Sequence, residues 1–111
     1  VNALGMRSSF SSIGPTADGR IKPDVMAMGS GTAVVRPNGS VSSASGTSVA
    51  SPLVAGLAAG LLQAYPQLTA RHVYNVVLLA GSQSATPDNQ HGFGIPNFTR
   101  VNVTAIEEED C

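Results

Sequence analysis

One stretch constrains the fold more than any other: Gly46-Thr47-Ser48-Val49-Ala50-Ser51-Pro52 running straight into an apolar segment over residues 53–62. A Gly lets the backbone turn sharply, a Ser can cap a helix start, and a Pro inside the first turn gives up only a weakly committed donor. The stretch therefore reads as a loop that hands a serine to a helix. A hydroxyl there has amide N–H groups and a positive dipole end beside it, the surroundings that steady an oxyanion. Ser48 is thus a candidate nucleophile, although a Ser before an apolar run is more often an ordinary N-cap.

The helix is expected from Ser48 to about Ala64. Its apolar residues fill both the Val49, Leu53, Leu57, Leu61 row and the Ala50, Val54, Ala58, Leu62 row, and a helix apolar on nearly all sides is expected to be buried. Gly56 and Gly60 cost about 1 kcal/mol each in helix propensity, which makes sense if another backbone packs against that face. Interruption by Ser51, Pro52 and Gln63 leaves the stretch short of a membrane span of about 20 residues, so no span is expected.

With 111 residues the chain has room for one core, and 42% hydrophobic content with 12 Gly and 7 Pro argues for a folded segment rich in defined turns. A formal net charge of −1 and 5% aromatic content exclude a basic or stacking surface for nucleic acid. The single cysteine, Cys111, is terminal and permits no internal disulfide. The start at Val1-Asn2-Ala3 has no charged n-region, and the chain reads as a piece of something longer.

Upstream of the serine, Phe10 is expected to anchor a short extended segment, and Gly14-Pro15-Thr16-Ala17-Asp18-Gly19-Arg20 is a turn cluster. Residues 24–28 read as a buried strand and residues 32–35 as a second, followed by the Pro37-Asn38-Gly39 turn and an extended stretch over residues 41–45. Downstream, Thr69 is expected to cap a second helix ending near Ala80, with Val73, Val76, Val77 and Ala80 on its apolar face and Gly81 as its stop. Domain organisation is read as one unit over residues 1–105 and a solvated acidic tail over residues 106–111.

Four segments in order, F-S-S-I-G-P-T from Phe10, D-G-R-I-K-P-D-V from Asp18, G-T-S-V-A-S-P from Gly46 and G-F-G-I-P-N from Gly92, resemble the subtilisin-like serine proteases, the subtilases. The serine motif departs from the family's commonest form by Val49 where Met is usual. The resemblance covers the chain from Val1 to about Val103 and implies an α/β fold: the C-terminal portion of a doubly wound, mostly parallel sheet, with the helix that begins at the nucleophile crossing its centre. It implies a serine endopeptidase acting through an acyl-enzyme on Ser48, whose backbone N–H also serves the oxyanion hole, with Gly46, Thr47, Ala50 and Pro52 as supporting motif positions. A polypeptide substrate and an extracytoplasmic location follow from the same resemblance.

The family's triad runs Asp, His, Ser along the chain, yet no histidine precedes Ser48. Asp18 and Asp24 do not match the family's catalytic-Asp motif and read as turn and strand-start residues. His72 and His91 lie downstream and read as ordinary histidines, and Asn2, Asn38 and Asn75 do not match the oxyanion Asn. The missing upstream part of the catalytic domain is accordingly an expected partner; without it this polypeptide is expected to be inactive and to leave much of the Ser48 helix's apolar surface uncovered. No cofactor is expected: His72, His91, Asp88 and Cys111 lack zinc-ligand spacing, and no acidic loop supports the calcium that many subtilases bind. The N-x-[ST] triplets at Asn38, Asn97 and Asn102 are short matches that carry little weight. The alternative function is a non-catalytic binding or structural module that kept the serine loop for its packing.

Overall fold

A computed structural model describes residues 1–102. Among them are two strands, β1 (Thr32–Val35) and β2 (Val41–Ala44), two α-helices, α1 (Thr47–Ala64) and α2 (Ala70–Leu79), and a 3₁₀ turn at Phe98–Arg100. The strands pair antiparallel with Thr32 opposite Ala44 and Val35 opposite Val41. At the tip, Arg36 N–H donates to Ser40 O at 2.8 Å and Asn38 Oδ1 accepts from the Ser40 N–H at 3.0 Å, which closes the expected turn. Among the described residues this hairpin is the whole sheet, so the α/β character expected from the sequence is present and the doubly wound parallel sheet is not. The acidic tail lies outside the described residues.

Residues 24–28 do not form a strand, contrary to expectation. They bend at Asp24 and are otherwise irregular, and their bonds go to a turn and to the chain's first residue, which make no ladder. Met26 N–H donates to Gly94 O at 2.9 Å and Phe93 N–H to Asp24 O at 2.7 Å. On the other side the Val1 amine donates to Ala27 O at 2.9 Å. Met26 is buried as the apolar run suggested. Phe10 does not anchor a core; it is 45% exposed, at the wall of an open cavity.

The first helix departs from its reading at its start, at Pro52 and at its glycines. Gly46, not a serine, is its N-cap, and no side chain caps it. Pro52 is the sixth helical residue and so lies in the second turn; lacking an N–H, it leaves the Ser48 carbonyl without its i+4 donor. As expected of this piece, the helix is not enclosed among the described residues: of its residues Leu61 alone is buried, while Leu53 and Leu62 are 47% and 41% exposed. The glycine pair differs from expectation as well. A side chain at Gly60 would meet the Phe98 ring rather than a backbone, and the Gly56 face has nothing within 4 Å. At 18 residues, about 27 Å long, α1 has by length and composition what a membrane-crossing helix needs at minimum.

The second helix follows the sequence closely. Thr69 Oγ1 accepts from His72 N–H at 3.2 Å, and Thr69 N–H donates to His72 Nδ1 at 3.3 Å, a reciprocal capping box with histidine in the usual Glu or Gln place. Val73, Val76 and Val77 join Leu61 and Leu68 in the core, with Val54, Leu57, Val25 and Val101 packed around it. Tyr74, on the outer side, donates from its hydroxyl to Asp24 Oδ1 at 3.1 Å, and Lys22 Nζ holds the other carboxylate oxygen at 2.7 Å. This ties α2 to the extended segment that precedes β1.

Two outcomes are expected. Thr69→Ala removes the cap acceptor and lowers stability by about 1 kcal/mol, read as a lower urea midpoint at unchanged m-value, with Thr69→Ser close to the parent chain. Burial, then the hydrogen bond to Asp24, raises the Tyr74 phenol above the ordinary tyrosine range. A raised pKa contributes stability that is complete below the unfolded value of about 10 and is lost as pH climbs through the higher folded value. Ultraviolet titration of a Tyr65→Phe variant, in which Tyr74 is the sole tyrosine, checks this; ionisation at or below the ordinary value would contradict it.

Candidate active site around Ser48

The hairpin delivers the chain to Ser48. Past Ala44, the last residue of β2, Gly46 takes φ 145° and ψ 160°, a backbone conformation open to glycine and strained for any L side chain. Its N–H donates to Gly29 O at 2.7 Å, and Gly29 in turn donates to Val1 O at 2.9 Å. The approach is close: a side chain at Gly29 would sit 2.9 Å from Gly46 O and 3.3 Å from Ala50 Cβ. Gly46 and Ala50 thus pack against one short segment, and Thr47 opens α1 directly after the turn.

Ser48 is the second residue of α1 and is exposed. Among the described residues nothing hydrogen-bonds its hydroxyl, and neither its N–H nor that of Thr47 has an acceptor. These are two of the donors that every helix start leaves open, and no acidic side chain in the first turn competes for them. An oxygen bearing negative charge near Ser48 Oγ would meet the Ser48 amide and the positive end of α1. Thr47 and Ser51 border a cavity of about 320 Å³ whose other walls include Phe10, Val25, Met26 and Val54. Ser48 itself lies outside that lining.

Among the described residues no general base hydrogen-bonds the hydroxyl. The His72 ring accepts from the Thr69 N–H in the α2 capping box, and the His91 ring sits in a loop with its Nδ1 4.0 Å from Asp88 Oδ1. The acids are equally local. The Thr16 hydroxyl and then Arg20 lower the Asp18 carboxyl below its ordinary value, and the His91 and Gln90 amides do the same for Asp88. Asp24 is bonded to Lys22 and Tyr74. Among the described residues no three His, Cys, Asp or Glu side chains gather as a metal site.

Sequence reasoning passed over Gly29 and Ser45, which hold the loop. Gly29 signals only as a strand breaker and Ser45 as one serine among several. Gly46→Ala would place a side chain at φ 145° and is expected to lower stability by about 1–3 kcal/mol; a chemical denaturation midpoint equal to the parent's would contradict the assignment of Gly46 as the strained joint.

Residues 1–94 match the subtilase family. The chain is 48% identical over 67 residues to a C5a peptidase of Streptococcus pyogenes, an overlap of 56% of this chain and 6% of that protein. It is 41% identical over 76 residues to serine protease AprX of Bacillus subtilis, covering 56% of this chain and 17% of the relative. Against subtilisin DY of Bacillus licheniformis the identity is 44% over 69 residues, 62% of this chain and 23% of the relative. The chain therefore spans less than a quarter of the length of each of these relatives. The family match includes the hairpin, the Gly46 joint and both helices, and on that match the chain belongs to the subtilase family.

Proposed function

We propose that this chain is the C-terminal part of the catalytic domain of a serine endopeptidase, with Ser48 as its nucleophile. One observation carries the reading: within the family match, the serine of G-T-S-V-A-S-P stands exposed at a helix start with its hydroxyl and its amide both uncommitted. Attack of Ser48 Oγ on a peptide carbonyl gives a tetrahedral oxyanion that the Ser48 N–H stabilises. Collapse expels the amine and leaves an acyl-enzyme, which water then hydrolyses. The base that takes the hydroxyl proton, its orienting acid and the second oxyanion donor come from sequence preceding this chain. The family resemblance supports a location outside the cytoplasm.

The exposed apolar faces of α1 support the same reading. Leu53, Leu62 and the open side of Gly56 suit a helix covered by further elements of a larger domain. Its position inside the family match favours a core helix over a membrane span, although its length and composition would serve for either.

Loss of the general base from a serine triad costs about 10⁶-fold in kcat, so the isolated chain is expected to react with a fluorophosphonate probe no faster than a free serine. Labelling of Ser48 at the rate of an intact protease would sink the proposal that its base lies elsewhere. In the complete protease, Ser48→Ala is expected to abolish both labelling and peptide hydrolysis; a non-catalytic module would show neither activity before the substitution.

A further inference from the structure

The β1–β2 ladder does not stop where its strands do. Continuing its register places Gly31 opposite Ser45, and there the Ser45 hydroxyl accepts from the Gly31 N–H at 3.0 Å. The next step would set Gly46 opposite Ser30. Instead the Gly46 N–H reaches past it to Gly29 O at 2.7 Å, so the register slips by one residue and Ser30 is left over. The extra residue is itself fastened, its hydroxyl 2.5 Å from that of buried Ser8. Immediately below, Thr32 Oγ1 donates to Met28 O at 2.5 Å.

Of the hydroxyls at Ser45, Thr47, Ser48 and Ser51, that of Ser45 alone is hydrogen-bonded among the described residues. A side chain therefore holds the last regular step of the ladder, and one residue later the backbone enters the strained turn at Gly46. We propose that Ser45 is a positioning residue for Ser48: its hydroxyl fixes the register slip that aims the Gly46 turn, and so sets where the Ser48 oxygen and amide stand. Two tethers, at Gly31 and at Gly29, define the direction of the loop; removing the first lets the segment pivot about the second. A displacement of the nucleophile on the scale of an ångström is enough to slow the chemical step without changing how substrate is held.

This role rests on the reading of Ser48 as nucleophile, and the experiment separates the two. In the complete protease, Ser45→Val and Ser45→Thr have nearly the same shape and differ in the acceptor. Ser45→Val is expected to lower kcat about tenfold with KM within about twofold, and Ser45→Thr to keep kcat within about twofold of the parent. Equal kcat for the two variants would overturn the positioning role, even where Val lowers the unfolding temperature, because a purely structural contact shifts stability without slowing the folded enzyme. Full turnover by Ser48→Ala would instead overturn the nucleophile reading beneath it. Should Ser45→Val fail to fold, Ser45→Ala in its place provides the same comparison.

Discussion

The bond from Gly46 N–H to Gly29 O is the contact on which the serine's setting depends. It joins the end of a hairpin to the segment that the hairpin left earlier, at a residue whose backbone angles glycine tolerates best. Because Gly29 is held in turn by Val1, and Ala27 accepts from the Val1 amine, the joint is braced from the far side. A helix that starts from such a joint needs no side-chain cap. Its first amides are left open, which would be a cost in an ordinary helix and, on the proposed reading, is the useful property in a site that receives developing negative charge.

The two helices show how differently apolar pattern and apolar burial can run. On α2 a single stripe, Val73, Val76 and Val77, meets Leu61 and Leu68, and the opposite side carries Tyr74 to its bond with Asp24. That stripe finds its partners within the described residues, and Leu79 alone of the helix's large aliphatic side chains stays exposed, at 40%. On α1 the apolar residues point around the full circumference, but α2, the residue 24–28 segment and Phe98 reach only part of it. Leu53 and Leu62 are each a little under half exposed, so each leaves roughly half of the about 1.5–3 kcal/mol of a full burial ungained, and α1, with two such leucines and the open Gly56 face, has more to gain from further cover than α2. On the proposed reading that cover is the rest of the catalytic domain.

How much of this was legible in the sequence follows from the range of the interactions involved. The Thr69 cap, the α2 face and the Asn38-Gly39 turn are set within a few residues, and each stands where the pattern put it. Residues 24–28 failed as a strand because a strand is defined by its neighbour, and the neighbours here are a glycine-rich loop and the chain's first residue. Phe10, Gly56 and Gly60 depart from their pattern for a related reason: aromatic or glycine identity implies a close partner without saying which one. Pro52 was placed a turn too early because the helix begins at Thr47 and the glycine serves as its cap.

The same distinction of range divides the chemistry. Everything that Ser48 draws from its own neighbourhood is local: the turn at Gly46, the open amides, the positive end of α1. A seven-residue motif can encode all of that, which is why it was readable from sequence. On the proposed reading the general base comes from sequence preceding this chain; here the His72 ring accepts from the Thr69 N–H in a helix cap and the His91 ring lies 4.0 Å from Asp88. Ser45 stands between these two classes. Its position next to Gly46 is local, but its partner at Gly31 lies 14 residues back, so its contribution emerges only once the hairpin has folded and brought the two ends of the ladder together.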